Sequence, residues 1–371
     1  MLSKIEVENF KCFNESFVFD LSKTNSFNFN KECVKNTIVN QALIYGYNGV
    51  GKSNLALAIF DIVSSLSDKK FTPEKYNNYL NANNGGNLAK FKFEFKFDED
   101  TLVYEYTKED VETLITEKLT INNIEFASID RMQSDIFKTN AKGTKSLKKD
   151  LKNSNISIVK YINANSVLEE NIENKVFKKF TDFINHMLLF RNLDDRFYIG
   201  LEQGTHSLEE DIIDQGNLED FESFLNDAGI NCKLKESQNN IRKGIDFVFQ
   251  KGNIPFFEIA SSGTVSLTLF YFWYQRLTRR QEHCSFLFID EFDAFYHHNL
   301  SKVIIERLKE VENTQVILTT HNTAVISNEL LRPDCYFLMY SNKITSLSNS
   351  TVKELRVAHN IEKMYRAGSF E

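Results

Sequence analysis

Gly46-Tyr47-Asn48-Gly49-Val50-Gly51-Lys52-Ser53 has the composition and spacing of a phosphate-binding loop. The glycines let consecutive backbone N–H groups turn inward around phosphate oxygens. Lys52 adds a point charge for the outer phosphates, and Ser53 offers a hydroxyl to Mg²⁺. The flanks fit this reading. Gln41-Ala42-Leu43-Ile44-Tyr45 has the apolar run of a buried strand. Ser53-Asn54-Leu55-Ala56-Leu57-Ala58-Ile59-Phe60 reads as a helix whose N-terminal dipole faces the anion. Strand, loop and helix together predict an α/β protein that binds a nucleoside triphosphate.

A second signal answers the first from far along the chain. Phe286-Leu287-Phe288-Ile289 reads as a strand buried on both faces, as in a parallel sheet, and Asp290-Glu291 follow at its C-terminal end, where open α/β sheets bind ligands. Asp290 is placed to hold the Mg²⁺ shell, and Glu291 to polarise an attacking water. Val316-Ile317-Leu318-Thr319-Thr320-His321 repeats the pattern one strand later, with His321 placed to sense the γ-phosphate or orient the water. Upstream of both, Ala260-Ser261-Ser262-Gly263-Thr264 precedes an apolar helix from Val265 to Tyr274, either an exposed anion site or an ordinary Ser/Thr cap.

Composition sets the frame. The chain has 371 residues, enough for one large domain with an insertion or for two domains. Its net charge of −7 argues against a surface coated with nucleic acid. Cysteines 12, 33, 232, 284 and 335 lie far apart, without zinc-type pairing or a disulfide framework, which suits reduced thiols in a cytoplasm. No apolar run approaches the length of a membrane span. A soluble, cytoplasmic protein is expected.

Residues 1–130 are expected to form an N-terminal lobe with hairpins beside the loop. Phe91-Lys92-Phe93-Glu94-Phe95-Lys96-Phe97 and Leu102-Val103-Tyr104-Glu105-Tyr106 alternate apolar and polar residues around an Asp98-Glu99-Asp100 turn. Residues 131–240 read as a basic loop and a helical insertion. Lys138, Lys142, Lys145, Lys148, Lys149 and Lys152 offer either a nucleic-acid contact or a solvated face. Val167, Phe177, Phe180, Phe183, Ile184, Met187, Leu188 and Leu189 form a helical apolar stripe, and a second helical segment runs from Leu218 to Leu225. Strand character returns at 245–249 in a C-terminal lobe, 241–371.

In that order, the loop, the Ser-Ser-Gly-Thr segment, the Asp-Glu strand and Thr-Thr-His-Asn resemble the motif set of ABC-type ATPase heads. The set is most similar to the RecF/SMC/OLD branch, and within it to ATPases of bacterial anti-phage and abortive-infection loci (AbiL-like and RloA-like, related to AriA of PARIS and PtuA of Septu). Ile5-Glu6-Val7-Glu8-Asn9-Phe10-Lys11-Cys12-Phe13, the D-loop region Phe292-Asp293-Ala294-Phe295-Tyr296-His297 and the tail from Glu354 to Phe370 carry the same resemblance. It covers roughly residues 1–130 and 240–371.

The resemblance implies a slowly hydrolysing, dimerising ATPase that controls a separate effector such as a nuclease or toxin. Gly46, Asn48, Gly49, Gly51, Lys52, Ser53 and Asn54 would bind ATP, Ser53 and Asp290 would hold Mg²⁺, and Lys52, Glu291 and His321 would serve catalysis. Ser261 and Gly263 would reach a second protomer's nucleotide. The segment departs from transporter heads, with Ala260 and Ser262 in the places of the leading Leu and the Gly-Gly pair. Gln133 is a weak candidate for the Q-loop. A RecF-like DNA-repair ATPase and a non-hydrolysing, ATP-dependent interaction module are the competing readings.

Overall fold

The computed structural model describes residues 1–69, 73–152, 154–191, 198–201, 204, 206–237, 243–278 and 283–370. Two sheets of seven strands each organise them. The central sheet runs Tyr198–Gly200, Met187–Arg191, Phe286–Asp290, Gln315–Thr320, Gln41–Tyr45, Tyr336–Met339 and Ile344–Ser346. Its five inner strands are parallel, and the outer strand at each edge is antiparallel. The inner strands are apolar along nearly their whole length because both faces are covered, and this removes the alternation seen in half-exposed strands.

The second sheet is antiparallel, in the order Ser134–Thr139, Ile124–Asp130, Leu114–Ile121, Asp100–Lys108, Ala89–Phe97, Leu2–Glu8 and Phe17–Asp20. The alternation read at 91–97 is realised directly: Phe91, Phe93, Phe95 and Phe97 are buried, while Lys92, Glu94 and Lys96 are not. Phe95 meets Phe180 and Phe183 edge-on at 5.2 and 5.5 Å, packing this sheet against the helix Ile172–Asn185. Gln315 joins the two sheets. Its side-chain amide accepts from the Leu2 N–H at 3.0 Å and donates to the Leu2 and Val39 carbonyls at 2.9 Å each. A buried amide is stable there because these bonds replace its water.

The structure corrects parts of the sequence reading. The helical stripe drawn from 167 to 189 ends at Asn185, and Met187, Leu188 and Leu189 belong to a strand of the central sheet. Val167 lies outside the helix and is 91% exposed. A short apolar run has no period long enough to separate helix from strand, and pairing with Phe286–Asp290 decides it. The antiparallel sheet continues past residue 130 to Thr139, so part of the segment read as a basic loop is strand. Helices at Ile158–Asn165, Ile172–Asn185, Leu208–Asp214 and Leu218–Asp227 give residues 131–240 helical character. Strands Leu234–Glu236, Ile245–Phe249 and Gly252–Pro255 form a small third sheet.

Candidate functional site

The register of the central sheet gathers the chemistry at one edge. Arg191 pairs with Asp290, Ile289 with Leu318, and Thr320 with Tyr45, so the C-terminal ends of four parallel strands finish together. The phosphate loop leaves Tyr45 and enters the helix Lys52–Leu66. Gly51 precedes that helix at φ +104°, a conformation that favours glycine, and no side chain caps the helix. Its first N–H groups therefore stay free for an anion, as a phosphate site needs. Asn48 and Gly49 are exposed at the loop tip, and Asn54 is half-buried one residue past Ser53.

Lys52 is buried, with its ammonium folded over the loop. Nζ donates to the Gly46 carbonyl at 2.8 Å and to the Tyr47 carbonyl at 3.2 Å. Burial holds its pKa below the usual lysine value, outweighing the nearby carboxylates of Asp290, Glu291 and Asp293. Ser53 Oγ donates to Asp290 Oδ2 at 2.6 Å. Thr319 Oγ1 donates to Asp290 Oδ1 at 2.7 Å and accepts from the Glu291 N–H at 2.7 Å. The next strand over thus sets the orientation of Asp290. A hydroxyl beside a carboxylate is an oxygen donor set suited to a hard cation, so Ser53 and Asp290 fit Mg²⁺.

Glu291 sits at φ +51°, a left-handed backbone that is costly for a glutamate. The turn aims its carboxylate at His321 Nε2, 3.6 Å away. His321 Nδ1 lies 2.9 Å from the Gly46 carbonyl. Lys52 Nζ is 3.1 Å from the same nitrogen. Lys52, Ser53, Asp290, Glu291 and His321 therefore form one connected cluster.

Sequence reasoning missed Arg191. Its Nε lies 3.4 Å from Asp290 Oδ2, and its terminal nitrogen lies 3.3 Å from Glu291 Oε2. One guanidinium thus spans both acidic side chains, while its Nε is buried without a hydrogen-bond partner. The signal was a cation closing an apolar run, but the run was read as helix. Asp293, behind the acidic pair, accepts from Thr320 Oγ1 at 2.8 Å, and burial raises its pKa.

Ser261 and Gly263 are placed elsewhere in the chain. Ser261 Oγ accepts from the Thr264 N–H at 3.2 Å and caps the helix Ser262–Thr278, which starts a turn earlier than the sequence suggested. A Cβ on Gly263 would stand 3.3 Å from the Phe295 carbonyl, so this helix start abuts the segment after Glu291. Ser261 remains exposed. Gln133 bonds Asp130 at 2.7 Å in the turn between two strands of the antiparallel sheet, and the strand beside Phe286–Asp290 ends in Arg191 instead.

Among solved structures, the chain is similar to an SMC head bound to the C-terminal winged-helix domain of ScpA (16% identity, TM-score 0.47, 93% of this chain and 97% of that one). It is also similar to the SMC head domain from Thermotoga maritima (14%, 0.42, 93% and 97%). The recombination mediator RecF gives 15% identity and a TM-score of 0.40 over 94% and 98%. No curated protein matches the chain. No helix among the described residues is long and apolar enough to cross a membrane. Residues 42–327 match the family model AAA_21, described as AAA domain, putative AbiEii toxin, Type IV TA system, and the chain belongs to that family.

Proposed function

We propose that the chain binds ATP with Mg²⁺ and hydrolyses it slowly, as a dimerising sensor or scaffold of a bacterial anti-phage system. The observation that carries the ATPase reading is the connected cluster of Lys52, Ser53, Asp290, Glu291 and His321 at one sheet edge. In this reading Lys52 and the N–H groups of residues 46–53 hold the phosphates. Ser53 and Asp290 hold Mg²⁺, which when bound supplies positive charge against the phosphate oxygens. Glu291 takes the proton of the attacking water. His321 faces Glu291 through Nε2 at 3.6 Å, and a proton on Nε2 would orient that carboxylate.

Dimerisation is supported by the distribution of the motifs. Ser261 and Gly263 have their hydrogen bond and packing contact with Thr264 and Phe295, while the loop's contacts are with Asp290 and His321. An exposed Ser261 at a helix start suits the nucleotide of a second copy. The family's description, with its putative AbiEii toxin and Type IV TA system, supports the defence setting. The lysines of 138–152 carry less of the reading. Lys138 lines a groove with Glu6, Glu8, Glu105, Glu125 and Asp130, a mixed surface and not a basic one.

The test is Lys52→Ala and Glu291→Gln, assayed for ATP binding, phosphate release and size-exclusion mass. The first should abolish binding. The second should retain ATP, stop turnover and accumulate the dimer. Wild-type binding by Lys52→Ala, or full turnover by Glu291→Gln, refutes the site. A Glu291→Gln protein that stays monomeric with ATP bound refutes the dimer alone.

A further inference from the structure

We propose that Asp182, His186 and His283 form a transition-metal site of the zinc class, separate from the nucleotide site. Each offers one ligand atom, and the three atoms lie within 4.8 Å of one another. Asp182 and His186 stand one turn apart at the end of the helix Ile172–Asn185, a spacing that puts both on one face. His283 comes from the segment that enters the strand Phe286–Asp290.

Both histidines approach the Asp182 carboxylate. Asp182 Oδ1 is 3.2 Å from His186 Nδ1, which also lies 2.8 Å from the Asp182 carbonyl so that Nε2 is the nitrogen left for a metal, and Asp182 Oδ2 is 3.4 Å from His283 Nε2. The two imidazoles approach to 4.5 Å between ring centres. Two imidazoles and one carboxylate select borderline first-row metals over Mg²⁺ or Ca²⁺, and three protein ligands leave a position for water.

The backbone sets these groups beforehand. The Ser285 N–H donates to the His186 carbonyl at 2.9 Å, and Ser285 Oγ donates to the Phe183 carbonyl at 2.5 Å. Asp182 and His283 also line an open cavity of about 300 Å³, which leaves a path for an ion. A metal here would pin together the starts of the strands Met187–Arg191 and Phe286–Asp290, whose far ends carry Arg191 and the acidic pair. It would act as a structural clip behind the nucleotide site, and the site stands whether or not the chain hydrolyses ATP.

The experiment titrates Co²⁺ and Zn²⁺ into metal-stripped full-length protein, following Co²⁺ visible absorption, Zn²⁺ calorimetry and thermal midpoint. One equivalent should bind and raise the midpoint. His283→Ala and Asp182→Asn should each weaken binding at least as much as losing a supporting outer-shell contact does, about 10–100-fold, and abolish the midpoint shift. Asp290→Asn should leave both unchanged, which separates this site from the Mg²⁺ site. Both histidine and aspartate lie partly exposed, so circular dichroism should report folded variants. No binding to wild type, or binding that survives either ligand substitution, overturns the proposal.

Discussion

Replacing Lys108 by methionine should cost this fold about 3–5 kcal/mol, because it strands a buried carboxylate. Asp61 lies on the helix that follows the phosphate loop, and both its side chain and that of Lys108 are almost wholly buried, at 0% and 1% exposed. Lys108 Nζ reaches the two carboxylate oxygens at 3.3 and 3.1 Å. The hydroxyls of Tyr79 and Tyr106 donate to the same oxygens at 2.9 Å each. At an effective dielectric near 20, charges 3.1 Å apart attract by about 5 kcal/mol, offset by the desolvation of both. Losing one partner leaves the desolvation of the other uncompensated. The cycle of Lys108→Met, Asp61→Leu and the double variant separates these effects. The double variant should recover at least about 2 kcal/mol relative to the sum of the singles. The assay is urea unfolding followed by far-UV circular dichroism and by fluorescence of the single tryptophan, Trp273. A single-variant loss below about 1 kcal/mol, or simple additivity in the cycle, would refute the view that the pair holds the loop helix to the antiparallel sheet.

Arg191→Ala should lower ATP turnover about 10- to 100-fold, with nucleotide affinity little changed, because Glu291 loses the charge that positions it. Arg191→Lys should restore part of that rate, and an unaltered kcat in the alanine variant would remove Arg191 from the site. Glu117 is buried, accepting from Ser157 Oγ at 2.5 Å, the Ile158 N–H at 2.8 Å and the Tyr104 hydroxyl at 2.7 Å, and burial raises its pKa. The stability it contributes is full below about 4.5 and is lost as pH rises through the raised value. Wild type should therefore lose stability relative to Glu117→Gln as pH rises above 4.5, and parallel thermal-midpoint profiles would contradict this. Gly200→Ala should destabilise by more than about 3 kcal/mol in thermal unfolding. Gly200 sits at φ +99°, and an added Cβ would stand 1.9 Å from the Met187 carbonyl oxygen. A stable Gly200→Ala protein would mean that the edge strand pairs differently.

The loop at 46–53 is legible because phosphate binding depends on consecutive backbone N–H groups, and glycines in a short window specify them. The hairpin through Phe91–Phe97 is legible because one solvated face leaves an alternating pattern. Ile245–Phe249 is a strand over the limits the sequence suggested. Asp290, Glu291 and His321 follow apolar runs short enough to be strands and long enough to be buried.

Arg191 shows where that legibility stops. Met187-Leu188-Leu189 continues a helical stripe in sequence, but the segment is a strand held between Tyr198–Gly200 and, about a hundred residues on, Phe286–Asp290. No local pattern encodes a pairing over that distance. The same holds for the meeting of Asp182 and His186 with His283, and for the burial of Lys108 against Asp61. By itself the sequence determined that a phosphate loop, an acidic strand end and a histidine strand end exist, because each is a property of consecutive residues. Their convergence at one sheet edge, with an arginine across both carboxylates, was decided by strand order, since parallel neighbours are chosen by packing and hydrogen bonding between segments far apart in the chain.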